Sequence, residues 1–210
     1  MELRSVAALI EASRKMPIWE AILCSDLEED TPEQRAASLE KMQMLWQVMQ
    51  DSAAGYDGSQ RSLSGLSGGD GEKYTQMLSS GKMMCGTYLN DAIATALKVS
   101  ECNACMKRIV AAPTAGSCGV IPAVLIPYRK EYPDTPEEEM LHALYVTGGF
   151  GNIIAERASV SGAEAGCLSG RDRSRFGYGS GGTGLPAGWL TGSLRQCLCH
   201  GTEESAGAGV

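Results

Sequence analysis

The chain has little of what nucleic-acid-binding, membrane or secreted proteins need. It has no basic excess: 18 Lys and Arg stand against 25 Asp and Glu, a formal net charge of −7, which argues against a surface that displaces counterions from phosphates. It has no apolar run of bilayer length. The longest, Cys118 to Tyr128, contains Pro122 and Pro127 and falls well short of the roughly 20 residues a span needs. The opening MELRSVAALIEASRK carries charge through its apolar stretch and reads as an amphipathic helix, not a signal peptide. The sequence therefore predicts a cytoplasmic protein with neither a nucleic-acid nor a membrane partner. Strand-type alternation and a strand-helix-strand rhythm are also missing, so the body is expected to be all-α. With 210 residues, 43 % of them hydrophobic, the chain can bury one sizeable core.

Histidine is scarce, with only His142 and His200, whereas cysteine is not: Cys24, Cys85, Cys102, Cys105, Cys118, Cys167, Cys197 and Cys199. In a cytoplasmic chain these thiols are expected to be reduced. Cys24 and Cys85 sit among apolar neighbours and read as small buried hydrophobes. Cys102 and Cys105 have the spacing of a zinc half-site, but two more ligands would be needed and the histidines are few.

Helix signals are plentiful. Ile10, Ile18, Ile22 and Leu23 fall on two short periodic segments separated by Met16-Pro17. Thr31-Pro-Glu-Gln34 is a capping box with proline at the first helical position, opening a helix to about Ala53. Along it Met42, Leu45, Trp46 and Met49 recur at core spacing. Thr135-Pro-Glu-Glu138 repeats the device and predicts a helix through Leu141, Leu144 and Tyr145 toward Ala155. Tyr88, Ile93, Ala96 and Leu97 mark another from about Met84 to Val99.

Three glycine-rich loops interrupt the helices: Arg61 to Lys73, Ala111 to Gly119, and Ser159 to Cys167. Glycines let backbone amides approach a ligand, and a loop leading into a helix N-terminus adds a positive dipole end. The segment Ala111-Ala-Pro-Thr-Ala-Gly-Ser-Cys-Gly119 has that form, with Ser117 as N-cap of a helix from Val120 to Leu125, and would suit a small carboxylate. Each loop alone also reads as a tight helix connection; three in one chain favour a site. Gly65-Leu-Ser-Gly-Gly69 matches the nucleophile elbow G-x-S-x-G, but the residues before it are polar and cannot form the buried strand that this elbow requires.

The segments Ser64-Gly-Leu-Ser-Gly-Gly-Asp70, Ile109 to Val124 and Arg157-Ala-Ser-Val-Ser-Gly-Ala-Glu-Ala-Gly-Cys167 resemble, in order, the alpha subunit or alpha domain of the iron-sulfur-dependent L-serine dehydratases. The resemblance covers about Met1 to Cys167. It implies an all-helical alpha domain with glycine-rich site loops, paired with a beta subunit or domain, that converts L-serine to pyruvate and ammonia at a four-iron, four-sulfur cluster. In that chemistry an iron with an open position polarises the hydroxyl while a protein base takes the Cα proton. The resemblance assigns Cys167 as a cluster ligand, and makes Thr114, Ala115, Gly116 and Ser117, with Ser161 nearby, candidates for gripping the substrate carboxylate. Cys118 lies in the motif without a ligand role, and no catalytic base is identified.

At Cys167 the sequence changes character. Residues 168–210 hold eleven glycines in 43 residues with little apolar periodicity, and are expected to be largely disordered. In the family a segment close to Gln-Ala-Glu-Val-Gly-Ser-Ala-Ser-Ala-Met follows, then two more cluster cysteines. Permitted codons for Leu168 to Ser180, read one base later, spell CQAEIGAASAMA, and the shifted reading can continue family-like to Val210. The sequence thus divides into an incomplete alpha domain, 1–167, and a tail, 168–210, read as out of frame. The alternative to the lyase is therefore a catalytically inactive truncated fragment lacking the remaining cluster cysteines.

Overall fold

A computed structural model describes residues 3, 5–81, 85–112 and 114–157, with side chains through Ile154. Seven α-helices and one short 3₁₀ turn occupy these residues: α1 (Val6–Ala12), α2 (Ile18–Asp26), α3 (Pro32–Ala54), α4 (Asp70–Ser79), α5 (Thr87–Ala104), the turn Ala115–Ser117, α6 (Val120–Glu131) and α7 (Glu137–Arg157). No strand is present among them, in line with the all-α expectation. The tail 168–210, expected to be disordered, lies outside the described residues. The chain divides into two compact units, one formed by residues 1–43 with 137 onward and the other by residues 44–136.

In the first unit α2 packs against α1 and α7. Ser5 caps α1 by accepting from the Ala8 amide at 3.1 Å. The core joins Leu9, Ile18, Ile22, Val146, Phe150 and Ile153, flanked by Leu3, Val6 and Trp19. Gly149 permits the close approach of α2 to α7: a Cβ there would lie 2.4 Å from Ile22 Cδ1. The capping box at Thr31 is half realised. Thr31 Oγ1 accepts from the Gln34 amide at 3.3 Å, but the Gln34 side chain turns to the Glu29 amide at 3.1 Å. Cys24 is not a core residue; it is half-buried, and its sulfur accepts from Arg35 Nη2 at 3.1 Å. Arg35 also bonds Glu20 and Asp30, tying α2 to the start of α3.

His142 stacks on Trp19 with ring centroids 3.9 Å apart and an interplanar angle of 12°. Its Nε2 is 3.7 Å from Glu138 Oε1, too far for a hydrogen bond. Burial holds the imidazole below its usual value of 6.5, outweighing the attraction of Glu138 and Glu139. A depressed histidine favours the neutral folded state, so its contribution is present above about pH 6.5 and is lost as pH falls further. Thermal midpoints between pH 7.5 and pH 5 are expected to drop more steeply for the wild type than for His142→Phe.

In the second unit α5 packs against α4 and α6. Its buried residues include Trp46, Val48, Met49, Ala94, Val99, Cys102, Cys118, Ile121, Ala123 and Leu125. Several expectations are corrected here. Leu45 is 42 % exposed although it shares the spacing of Trp46 and Met49, and Cys85 is exposed. The loop expected to run to Lys73 ends at Asp70, where α4 begins. The helix beyond Val120 crosses Pro127 and reaches Glu131. Pro122, at its third position, lacks an amide hydrogen, but in the first turn no helical carbonyl would have accepted one.

Candidate functional site

Two of the glycine-rich loops lie in the second unit, and each enters a helix. The segment before α6 is organised by a reciprocal pair. The Thr114 amide donates to Ser117 Oγ at 3.2 Å, Ser117 Oγ donates back to the Thr114 carbonyl at 3.0 Å, and the two hydroxyls lie 3.2 Å apart. The sequence suggests Ser117 as N-cap of α6, but Gly119 holds that position without a side-chain bond. The Ser117 hydroxyl is used one turn earlier, closing the capping box of the 3₁₀ turn. Ser117 is buried, whereas Ala115 and Gly116 are exposed. Asn103 Nδ2 donates to the Ala115 carbonyl at 3.1 Å, fixing the turn to the end of α5. The arrangement displays the backbone of Ala115 and Gly116 just before a helix N-terminus, a suitable place for a small anion.

Ser117→Ala removes three contacts that no neighbour replaces. It is expected to cost about 1–2 kcal/mol, as a lost cap with a stranded amide does, and chemical denaturation followed by far-UV circular dichroism measures this.

The other loop ends in two glycines with positive φ, Gly68 at 126° and Gly69 at 83°. A Cβ on Gly68 would lie 2.4 Å from the Gln60 carbonyl oxygen, so only glycine fits. This geometry turns three successive amides toward Glu101 of α5: Gly69 N to Oε2 at 3.0 Å, Asp70 N to Oε1 at 2.7 Å and Gly71 N to Oε2 at 3.3 Å. The Tyr56 hydroxyl donates to the same carboxylate and accepts from the Glu72 amide at 3.1 Å. Burial, reinforced by the hydrogen bond to Glu101, pushes the Tyr56 phenol up to about 12. Neither Glu101 nor Tyr56 is singled out by motif reading. The signal available was a carboxylate in the run Val99-Ser-Glu-Cys102, in helical register with Asn90 and Ala94, positions that the fold buries.

The third loop cannot be placed: Ser161 and Cys167 lie outside the described residues. No group of three or more metal-ligating side chains gathers among the described residues. Cys102 is buried, its thiol donating to the Ser52 carbonyl at 3.3 Å, and burial raises its pKa. Cys118 is likewise buried, its thiol 3.7 Å from the Val99 carbonyl. Such thiols pack as hydrophobes, so Cys102 and Cys118 do not fit the ligand set of an iron-sulfur cluster.

Fold and loops together define an all-helical domain with glycine-rich entries to its helices. The sequence profile of the serine dehydratase alpha chain matches residues 13–170, and the chain belongs to that family. It is similar to the probable L-serine dehydratase alpha chain of Bacillus subtilis (strain 168), 34 % identical over 166 residues, covering 78 % of this chain and 55 % of that protein. It also resembles the L-serine dehydratase alpha chain of Peptoniphilus asaccharolyticus, 41 % identical over 88 residues, or 42 % of this chain and 30 % of that one. L-serine dehydratase 2 of Escherichia coli (strain K12) is 44 % identical over 72 residues, covering 34 % of this chain and 16 % of that protein. The chain thus spans about half the length of the first of these relatives, and less of the others. No solved structure matches. No helix among the described residues is long and apolar enough to cross a membrane.

Proposed function

We propose that this chain is the alpha portion of an L-serine ammonia-lyase, converting L-serine to pyruvate and ammonia in the cytoplasm together with a beta subunit or domain. The observation that carries this reading is the family match over residues 13–170, which takes in all three glycine-rich loops. Within it, the exposed backbone of Ala115 and Gly116 offers amides to the substrate carboxylate, and Thr114 and Ser117 hold the turn in shape. Ser161 adds a hydroxyl from the third loop. The cofactor this reading implies is a four-iron, four-sulfur cluster, and Cys167 is the one residue of this chain assigned to it.

A second reading is favoured by where the match stops. It ends at residue 170, just past the break in composition after Cys167, as a change of reading frame at that point would produce. On this reading the chain keeps one cluster cysteine, and a folded but inactive fragment results. Anaerobic reconstitution with iron and sulfide, in the presence of the beta chain, separates the two. A brown chromophore with serine-dependent pyruvate formation supports the lyase as written. A colourless, inactive but helical chain supports the fragment.

A further inference from the structure

The family assignment says nothing of Glu101, yet its carboxylate is among the few buried charges of the described residues, 7 % exposed. Such a group is tolerated only when its charge is met by donors. Here the donors are not a cation but three consecutive backbone amides, those of Gly69, Asp70 and Gly71, together with the Tyr56 hydroxyl. Consecutive amides converging on one anion form a nest, and these also open α4, whose dipole favours negative charge at that end. The glycines are dictated by this contact. Positive φ at Gly68 and Gly69 turns the amides inward, and a Cβ on Gly71 would lie 3.1 Å from the Tyr56 hydroxyl. The nest is therefore filled from within the chain, by a side chain 30 residues or more away in sequence.

We propose that Glu101 is a positioning residue, a built-in anionic ligand whose negative charge, and not its bulk, holds the glycine-rich loop Arg61 to Asp70 on α5. The consequence for catalysis rests on the reading that this loop belongs to the lyase site; the clamp itself does not. Glu101 and Tyr56 touch no substrate in this scheme. They set where the backbone of the Ser64–Asp70 motif stands. The exposed tip, Leu63 at 97 % and Leu66 at 90 % exposure, carries no buried contact that could do so instead.

Amide hydrogen exchange on the isolated chain tests the clamp. Glu101→Gln preserves volume but sets an amide against the nest. The amides of Gly69, Asp70 and Gly71 are expected to exchange about 10- to 100-fold faster, as loss of charge-assisted bonds predicts, while the Ala123 amide in α6 is unchanged. In Glu101→Ala, added formate is expected to restore slow exchange at the three amides, and chloride at equal ionic strength is not. Exchange in Glu101→Gln equal to wild type, or no rescue by formate in Glu101→Ala, overturns the proposal. If the Glu101 variants do not fold, Tyr56→Phe reads the same contact from the other side. A rise of a few-fold at the same three amides is expected, and exchange equal to wild type there refutes the clamp. Because exchange is read without turnover, an inactive but exchange-protected chain counts against the lyase reading alone. An active chain with unclamped amides counts against this inference alone.

Discussion

Gly119→Val is expected to destabilise the second unit by about 3 kcal/mol, the upper end of the cost of overpacking, and to lower serine turnover in any active assembly. A Cβ at this position would lie 2.8 Å from the Ala96 carbonyl oxygen and 3.0 Å from Ser100 Oγ. The first of these is backbone, so it cannot be relieved by a rotamer change. The helices α5 and α6 would have to separate, and with them the Thr114–Ser117 turn that is bonded to α5 through Asn103. Valine adds two further carbons beyond that Cβ, which makes the effect larger than for alanine. Gly148 is the control. It lies in α7 with open space where a Cβ would go, so Gly148→Ala should be neutral or stabilising by up to about 1 kcal/mol. Denaturant unfolding of the two variants, with pyruvate formation where activity exists, checks both statements. Equal stability of Gly119→Val and wild type would show that α5 and α6 are not in the contact described.

Much of the helical body was legible because its signals are local. Proline at the first position of α3 and the Thr31 hydroxyl on the Gln34 amide depend on residues within one turn, and sequence displays them directly. The misplaced features depend on distant partners. The helix α4 opens with Asp-Gly and has little apolar spacing, so it reads as loop; what starts it is Glu101, brought in from another helix. Ser117 looked like an N-cap because of its place before an apolar run, but Thr114 offers it both an amide and a carbonyl one turn earlier. The helix expected over Val120 to Leu125 continues to Glu131, through a buried Pro127. Leu45 has the spacing of a core residue but lies on the exposed side of α3. Of the candidate carboxylate grip, the loop was readable from its glycines. The exposure of Ala115 and Gly116 and the bracing of the turn by the Ser117 hydroxyl depend on how the turn closes on Thr114, which no residue type displays.

The largest effect is expected from the reading frame. As written, the chain should reconstitute to a colourless protein without serine-dependent pyruvate formation; a gene restored to the family-like frame after Gly166 should give a brown, active one with the beta chain present. The physical reason is ligand number. On the proposed reading Cys167 is the one assigned ligand, and a single thiolate cannot hold a cubane, which in proteins is anchored by several cysteines; the thiols of Cys102 and Cys118 are packed in the interior. The shifted reading supplies a further cysteine codon across Leu194 and Arg195. It also replaces a segment of eleven glycines in 43 residues with alanine- and leucine-rich sequence that can form and bury helices. Except at serine, the second base of each codon is set by the residue written, so a family-like string over the whole tail is hard to obtain by chance. Gene sequencing across the Cys167 codon gives the direct check, and codons incompatible with the shifted string would remove the idea. Should the frame-restored protein stay colourless and inactive while circular dichroism shows it folded, the lyase assignment itself would fail. If the chain as written proves brown and active, the missing thiolates must come from the beta chain, and alkylating that partner's cysteines before reconstitution should then abolish the colour.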